Sequence, residues 1–240
     1  MVVMITQLHQ SLRALERPAG IDSDPGSVVL GVAAIDIVLG GGLSRGALHE
    51  IAALGEAHLA AAAGFALAVS SRGATRKSTV WIAEDMVLAE SGAPYGPGLD
   101  AFGLLPAQLL TIAAAQRRDL LWAMEEALHY RAVCAVVGEL RHSEIDMVAV
   151  RRLSLAAAKS SALALLLRAS PPNDASTAVT RWIAGAAPNA SLAVELTRNR
   201  RGPLGAWTLQ WSDDDERFVL ATPAQPVAAP AADRSHRKVA

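Results

Sequence analysis

The sequence has few aromatic residues, a single cysteine and no excess of either charge. Phe, Trp and Tyr make up 4% of the 240 residues, so Ala, Leu and Val must supply most of the 52% that is hydrophobic. Because Cys134 is the one cysteine, an intramolecular disulfide is excluded, and a reducing, cytoplasmic location is expected. The formal net charge of -1 means that contact with nucleic acid would require a local basic patch.

Long apolar runs are also missing. The longest, at residues 59–70 and 161–167, are shorter than the roughly 20 residues that a membrane-spanning helix needs. The N-terminal segment carries His9, Arg13 and Glu16 among its apolar positions and shows no signal-peptide pattern. The sequence therefore predicts a cytoplasmic protein that does not associate with membranes.

The N-terminus has the pattern of an amphipathic helix. Four apolar residues recur at the spacing of one helix face: Ile5, Leu8, Leu12 and Leu15. We predict a helix over residues 1–17 and a Pro-, Gly- and Asp-containing linker over residues 18–27. The apolar stripe is expected to dock on a partner or on a second copy of the chain, which would make a homo-oligomer. The alternative is that the helix packs on its own domain.

From residue 28 onward, short apolar segments alternate with helical patterns, which is typical of a parallel sheet covered by helices. The predicted strands are residues 47–52, 78–83, 109–113, 132–137 and 162–167. The predicted helices are residues 56–70, 119–129 and 143–160, and residues 93–98 form a Pro/Gly loop. Alternating residues around a basic segment at 198–205 predict a C-terminal β-hairpin. The core thus spans residues 28–220, and residues 221–240 are predicted to be a disordered tail.

The stretch from residue 29 to 52, VLGVAAIDIVLGGGLSRGALHEIA, resembles the entry to a RecA-type ATPase core. That family has an Asp in an apolar segment, a glycine-rich turn, a basic-Gly pair and a strand ending in Glu-Ile. The matching residues here are Asp36, Gly40 to Leu43, Arg45-Gly46 and Glu50-Ile51. The later order of elements also matches, through residues 81–85, Tyr95, residues 104–110 and residues 132–138. The resemblance covers about residues 27–211 and implies an α/β fold with a mostly parallel sheet flanked by helices.

Three further segments resemble the inducible mutagenesis protein A (ImuA) family, which is distantly related to RecA and to the cell-division inhibitor SulA. They are residues 136–139, 151–157 and 196–211. Members of that family are encoded beside a Y-family-polymerase-like protein and an error-prone replicative polymerase, in a damage-induced mutagenesis cassette. The resemblance implies a role in SOS-induced translesion DNA synthesis. It also implies the polymerase-like protein as partner, with RecA and the error-prone polymerase III alpha-type subunit as further candidates.

The residues that bind ATP in this fold are replaced. A phosphate loop reads Gly-x-x-x-x-Gly-Lys-Ser/Thr, with Lys neutralising phosphate charge and the hydroxyl holding magnesium. In the corresponding register, His58 replaces the second glycine, Leu59 the lysine and Ala60 the hydroxyl residue, while Glu56 adds negative charge. Gly138 stands where the metal-side aspartate is expected. We therefore predict a degenerate nucleotide site with no catalytic residue, no cofactor and no metal.

Two other functions remain open from the sequence. Glu139, by a one-residue slip, and Glu84-Asp85 at the end of a strand could be the residual carboxylates of a weak RecA-type NTPase, although exposed strand-end carboxylates would look the same. A SulA-like cell-division inhibitor is the other alternative. Leu59-Ala60 argues against the NTPase. The N-terminal helix and the basic hairpin argue against the inhibitor.

The hairpin loop is the strongest candidate for a contact surface. It carries Arg198, Arg200 and Arg201, and Trp207 follows on the next strand. These residues could bind DNA phosphates weakly or an acidic surface of a partner, with Trp207 available for stacking. A solvated hairpin tip is the alternative. Of the histidines, His58 is expected to be a solvated residue at the start of a helix.

Overall fold

The structure, a computed structural model, describes residues 26–73, 77–94, 96–141, 145–172, 175–215 and 217–221. The predicted N-terminal helix with its stripe Ile5, Leu8, Leu12 and Leu15, the linker up to residue 25, Tyr95, and the predicted tail from residue 222 onward lie outside these residues. The strands of the described part are β1 (Ser27–Val28), β2 (Leu43–Ser44), β3 (Leu48–Ala53), β4 (Ser78–Glu84), β5 (Leu109–Ala114), β6 (Val133–Leu140), β7 (Leu163–Arg168), β8 (Thr180–Ala187), β9 (Ser191–Asn199), β10 (Gly205–Ser212) and β11 (Arg217–Leu220). Its α-helices are α1 (Ala33–Val38), α2 (Leu59–Ser71), α3 (Asp85–Ser91), α4 (Gly96–Ala101), α5 (Arg117–Ala127) and α6 (Met147–Ala158).

Within that part of the chain, nine strands form one sheet in the order β11-β10-β9-β8-β3-β7-β6-β4-β5, and β1 pairs with β2 separately. Neighbouring strands from β8 to β5 are all parallel, whereas β9, β10 and β11 are added in antiparallel pairs. This confirms the predicted α/β, RecA-like, mostly parallel sheet with a C-terminal hairpin, which is β9–β10. The hairpin is part of a larger extension, because β8 and β11 flank it.

Helices cover both faces of the parallel strands. On one face, α2 packs over a core that includes Phe65, Trp81 and Val137. On the other face, α5 and α6 pack over a core that includes Leu120 and Leu153. Strands β6 and β7 are buried along their whole length, as expected for central parallel strands whose two faces are both covered.

The few aromatic residues are concentrated where α2 meets the antiparallel extension. Phe65 on α2 lies 5.6 Å from Trp182 and 5.8 Å from Phe218 between ring centroids. Further pairs join Trp182 to Trp207, Trp211 to Phe218, and Phe102 to Trp211, with centroid distances of 6.1, 5.1 and 5.1 Å. Such pairs stabilise beyond their buried area by about 0.5–1.5 kcal/mol each. The aromatic cluster therefore attaches the extension to a core that is otherwise built from small aliphatic side chains.

The crossover from β7 to β8 contains no helix in its described residues, and polar contacts hold it in place. Glu50, fully buried on β3, accepts hydrogen bonds from Ser176 Oγ at 2.6 Å and from Arg181 Nε at 2.6 Å. Thr177 donates to the carbonyl of Val150 on α6 at 3.2 Å. The carboxylate of Glu50 thus fixes the path by which the chain returns to the sheet.

The structure corrects several sequence-based element assignments. The predicted loop at residues 93–98 runs into the short helix α4, and the helices α1 and α3 were not predicted. Ser27, assigned to the linker, pairs with Ser44 in β1, and Ala221, assigned to the tail, donates its backbone N–H to the carbonyl of Thr208 at 2.9 Å. No helix within the described ranges is both long and apolar enough to cross a membrane.

Candidate functional site: a degenerate nucleotide site and a basic turn

The segment that replaces the phosphate loop leaves the carboxyl end of β3. Leu54 donates its backbone N–H to the carbonyl of Ala184 on β8 at 2.8 Å, which keeps the chain against the sheet. A single turn of 3-10 helix, Glu56–His58, follows and leads directly into α2. The segment therefore lies where ligands bind in parallel α/β sheets, at the carboxyl ends of the strands.

Leu59, at the position of the phosphate-loop lysine, is part of the hydrophobic core. Its side chain is 8% exposed and packs in the same cluster as Phe65 and Ala62 of α2. Ala60, at the position of the hydroxyl residue, is exposed but has no polar group. These two positions consequently offer neither a cation for phosphate nor a hydroxyl for magnesium.

His58 is not the solvated residue that the sequence suggested. It is half-buried, and its Nδ1 accepts a hydrogen bond from the backbone N–H of Ala186 on β8 at 3.1 Å. Accepting this bond requires an unprotonated Nδ1. A Cβ added at Gly185 would lie 3.3 Å from the same nitrogen, so the imidazole is closely fitted to β8. His58 therefore links the start of α2 to β8 through this hydrogen bond.

The strand register changes the interpretation of Gly138. A Cβ at Gly138 would come within 2.1 Å of Met124 Sδ on α5, so this residue faces the core opposite to α2. Glu139, the next residue along β6, faces the α2 side, where its Oε2 accepts from Trp81 Nε1 at 3.2 Å. Of these two residues, Glu139 is therefore the one on the α2 side of the sheet, where the metal-side aspartate is expected. Assigning that position to Gly138 was wrong.

Glu139 is already engaged in an ion pair. Its Oε1 accepts from Nε of Arg141 at 3.3 Å, and the two side chains are 10% and 15% exposed. Together with Trp81, Arg141 satisfies both carboxylate oxygens. Within the described residues, no group of three or more His, Cys, Asp or Glu side chains is arranged to hold a metal ion.

The two carboxylates after β4 differ from each other. Glu84 ends the strand and is half-exposed, whereas Asp85 is exposed and begins α3. Asp85 Oδ1 accepts from the backbone N–H of Met86 at 2.7 Å. The contact is local to the start of α3, as expected for a carboxylate in the first turn of a helix.

A shallow groove of about 330 Å³ lies next to the degenerate loop, on the uncovered face of β8, β9 and β10. Its lining residues are Leu54, Ile183, Gly185, Ala193, Val194, Glu195, Ala206, Trp207 and Thr208. Glu195 is the single charged residue of this lining. An apolar groove with one carboxylate does not suit a triphosphate, because nothing in it neutralises negative charge.

The turn between β9 and β10, here called the basic turn because Arg198, Arg200 and Arg201 lie on it, is found at the opposite ends of the strands. Register pairs Arg181 with Arg198 and Thr180 with Asn199, and Thr180 pairs with His49 near the amino end of β3. Arg200 and Arg201 are exposed, whereas Arg198 is half-buried. The six residues of β3 separate this end from the degenerate loop by about 20 Å.

Trp207 and Trp211 do not offer the open stacking surface that the sequence suggested. Trp207 is half-buried and packs on Trp182 in the aromatic cluster. Trp211 packs edge-on against both Phe102 and Phe218. Both indoles therefore face the α2-side core, and the exposed part of the turn is basic without being aromatic.

A buried polar network beneath the turn was not predicted from the sequence. His49 is fully buried, with Nδ1 2.8 Å from Thr180 Oγ1 and Nε2 2.9 Å from the carbonyl oxygen of Ser44. Burial lowers the pKa of His49 from about 6.5 to about 4 against the opposing effect of the Ser44 hydrogen bond, and Arg201 adds to the lowering. The signal in the sequence was the polar pair His49-Glu50 inside an apolar strand.

The chain shares its fold and part of its sequence with known proteins. No family model matches the sequence. The crystal structure of the RadB recombinase superimposes with a TM-score of 0.58 at 13% identity, covering 81% of this chain and 100% of that one, which shows a common fold. Protein ImuA of Caulobacter vibrioides, from strain NA1000 / CB15N and from strain ATCC 19089 / CIP 103742 / CB 15, is 30% identical over 196 residues, covering 71% of this chain and 77% of the relative. On this similarity, the chain belongs to the ImuA family.

Proposed function

We propose that this protein is a non-catalytic, cytoplasmic accessory factor of SOS-induced, error-prone translesion DNA synthesis. It would act by binding a Y-family-polymerase-like partner, together with RecA or an error-prone polymerase III alpha-type subunit, and not by turning over ATP. Membership of the ImuA family supports the pathway, through the cassette that the sequence resemblance implies. The RecA-type motif order in the sequence, with structural contacts at Leu59 and His58, supports a nucleotide site that no longer binds nucleotide.

The burial of Leu59 is the observation that carries the proposal. An ATP site in this fold needs a lysine whose ammonium reaches the β- and γ-phosphates. Here that position is a core residue, 8% exposed, and the neighbouring His58 bonds to β8. The side chains that would hold nucleotide have been replaced by side chains that hold α2 on the sheet.

Calorimetric titration with Mg-ATP tests the absence of nucleotide binding. We expect no saturable heat at millimolar ATP for the wild-type chain. Glu56→Gln, which removes the exposed carboxylate in the loop, is the matched variant and should also be silent, because the missing lysine is the larger deficit. Saturable binding with a micromolar Kd, or hydrolysis above the blank, would favour the weak NTPase instead.

Co-purification tests the partner. The tagged chain, expressed with the polymerase-like protein encoded beside it, should retain that protein through gel filtration in nucleotide-free buffer. Adding Mg-ATP should not change the amount retained. A complex that forms only with ATP, or no complex with any protein of the cassette, would refute the proposed mode of action.

A further inference from the structure

The turn between β9 and β10 is held firmly against the body of the domain. Asn199 Nδ2 donates to the carbonyl of Val38 at 3.0 Å and to that of Pro203 at 3.0 Å, and its Oδ1 accepts from the backbone N–H of Arg201 at 3.0 Å. Arg200 donates its backbone N–H to the carbonyl of Val179 at 3.0 Å. A Cβ at Gly202 would lie 2.5 Å from the carbonyl oxygen of Val38, so glycine is required for this close approach. These hydrogen bonds to Val38 and Val179 therefore fix the turn against the rest of the domain.

Arg198, Arg200 and Arg201 bring three guanidinium groups to this turn, and within the described residues none of them forms an ion pair. Arg200 is exposed, and within the described residues its side chain makes neither an ion pair nor a hydrogen bond. Arg201 donates to Ser44 Oγ, which uses one of its five N–H groups. In the described ranges, the carboxylate that acts on Arg198 is that of Glu50, which is buried and paired with Arg181.

In the described part of the chain, Arg198 lies close to other positive charges and lacks one hydrogen-bond partner. Its Nε is buried without a hydrogen-bond partner in the described structure. Burial lowers the pKa of Arg198, and the charges of Arg200 and Arg181 lower it further, which outweighs the attraction of Glu50. An anion placed at the turn would relieve this repulsion and supply acceptors for donors that now lack them.

The surroundings of the turn favour a polyanion over a protein interface. Protein interfaces usually have an apolar or aromatic core among their charges. Here Trp207 faces inward onto Trp182, and the exposed large apolar side chains at or beside the turn, Leu204 and Ile37, are aliphatic, so no described aromatic side chain is exposed among the arginines. Arginine forks match the oxygens of phosphate, and repeated phosphodiesters supply several such groups in a row.

We propose that Arg198, Arg200 and Arg201 on the β9–β10 turn form a binding site for the phosphate backbone of a nucleic acid. The site lies at the amino end of β3, whereas the degenerate nucleotide loop lies at its carboxyl end. DNA binding at this site therefore does not depend on ATP. It deepens the proposed function, in that it names DNA as a partner of the accessory factor. It would let the protein hold a DNA strand while another surface contacts the polymerase-like partner.

Fluorescence anisotropy with a labelled oligonucleotide of about 30 nucleotides tests this site, using the full-length chain without nucleotide and without partner proteins. The single strand and its duplex are separate arms, because both present phosphodiesters. We expect a Kd on the order of 1–100 µM at about 50 mM NaCl for at least one arm, weakening steeply toward about 200 mM. Arg200→Ala should weaken binding about threefold to tenfold and reduce the slope of log K against log salt by about 0.7–0.9.

The controls separate this site from general electrostatics. Arg151→Ala removes an exposed arginine from α6 and should leave both the Kd and the salt slope unchanged. Equal effects of the two variants, or no binding of either oligonucleotide by the wild type, would overturn the proposal. So would an oligoglutamate peptide that competes as well as DNA at equal charge, which would assign the turn to an acidic protein segment. Because no partner is present, each of these failures leaves the co-purification result standing.

Discussion

Leu59 shows how one residue can convert a ligand position into a core position. Leu59→Lys would restore the phosphate-loop lysine but would place an ammonium in an apolar cluster that includes Phe65. We expect a loss of about 2–4 kcal/mol in the free energy of unfolding, because a buried charge must be desolvated or lose its proton. Urea unfolding at neutral pH measures this loss.

Leu59→Met is the control for that substitution. It keeps the volume and the apolar character, so it should cost less than about 1.5 kcal/mol. If Leu59→Lys instead kept full stability and gained Mg-ATP binding, the position would be an intact nucleotide site and the interpretation of α2 would fail.

His49 predicts a pH dependence of stability. Its pKa is about 4 in the folded protein and about 6.5 in the unfolded chain, so the unfolded state binds more protons between these values. The contribution of neutral His49 is complete above about pH 6.5 and decreases as the pH falls toward 4. Between pH 7 and pH 5 the wild type should lose about 2 kcal/mol through this residue, which urea unfolding at the two pH values measures.

Two variants isolate the contribution of His49. His49→Gln has no titrating group, so its loss of stability between the two pH values should be smaller by about 2 kcal/mol, whatever its absolute stability. His129→Gln removes a surface histidine and is the matched control for the loss of an imidazole. An unchanged dependence in His49→Gln would show that the buried imidazole does not titrate in this range.

The sequence alone was enough to locate the degenerate loop, but not to predict which residues its side chains contact. The loss of the lysine and the hydroxyl residue could be read directly, since each is defined by position in the motif. That Leu59 is buried, that His58 bonds to Ala186 and that Glu139 pairs with Arg141 depend on how helices and strands pack. Gly138 was misassigned because alternation along β6, not motif order, decides which side chain faces α2.

Among the elements, the helix-free crossover before β8 depends on one buried ion pair. Glu50→Gln would remove the buried carboxylate that pairs with Arg181, whose side chain is 14% exposed and is close to the repelling charge of Arg198. We expect a loss of about 3 kcal/mol in the free energy of unfolding, because removing one member of a buried ion pair is strongly destabilising. Chemical denaturation of the single variant measures it.

The double variant Glu50→Leu/Arg181→Met completes the cycle. Removing both charges also removes the desolvation cost of the guanidinium, so the double variant should be more stable than Glu50→Gln alone. If the double variant were less stable than the single one, the pair would not be what holds the crossover, and Ser176 and Thr177 would have to supply that stability.

The elements that sequence patterns predicted well are the parallel strands before β8 and the long helices that cover them. The predicted segments for β3, β4, β5, β6 and β7 and for α2, α5 and α6 match the structure apart from a few residues at their ends. The strand β8 escaped prediction because Gly185 and small alanines weaken its pattern, and pairing with β3 and β9 fixes it instead. The four-residue β11 is likewise defined by its partner β10.

Within the described part of the domain, the basic turn and the apolar groove lie toward opposite ends of the strands. The basic turn lies at the amino end of β3, while the groove beside Leu54 lies toward its carboxyl end. This separation is compatible with a protein that holds a nucleic acid at one edge and other proteins elsewhere. It also explains how a chain with a net charge of -1 can present a local basic site.

The N-terminal stripe, which lies outside the described residues, is predicted to dock on a partner or on a second copy of the chain. It precedes Gly26, whose carbonyl accepts the backbone N–H of Arg45 at 3.0 Å and so anchors the start of the described domain. Each fully buried Leu or Ile contributes on the order of 1.5–3 kcal/mol, so four such residues suffice to hold a partner.

Leu8→Asp/Leu12→Asp should therefore abolish self-association or binding of the polymerase-like partner while the melting temperature hardly changes. Gln7→Asp/Gln10→Asp adds the same charge off the stripe and should change neither property. Light scattering and thermal unfolding on the two double variants decide the question. A marked fall in melting temperature for the first variant, with unchanged molar mass and partner binding, would mean that the helix packs on its own domain.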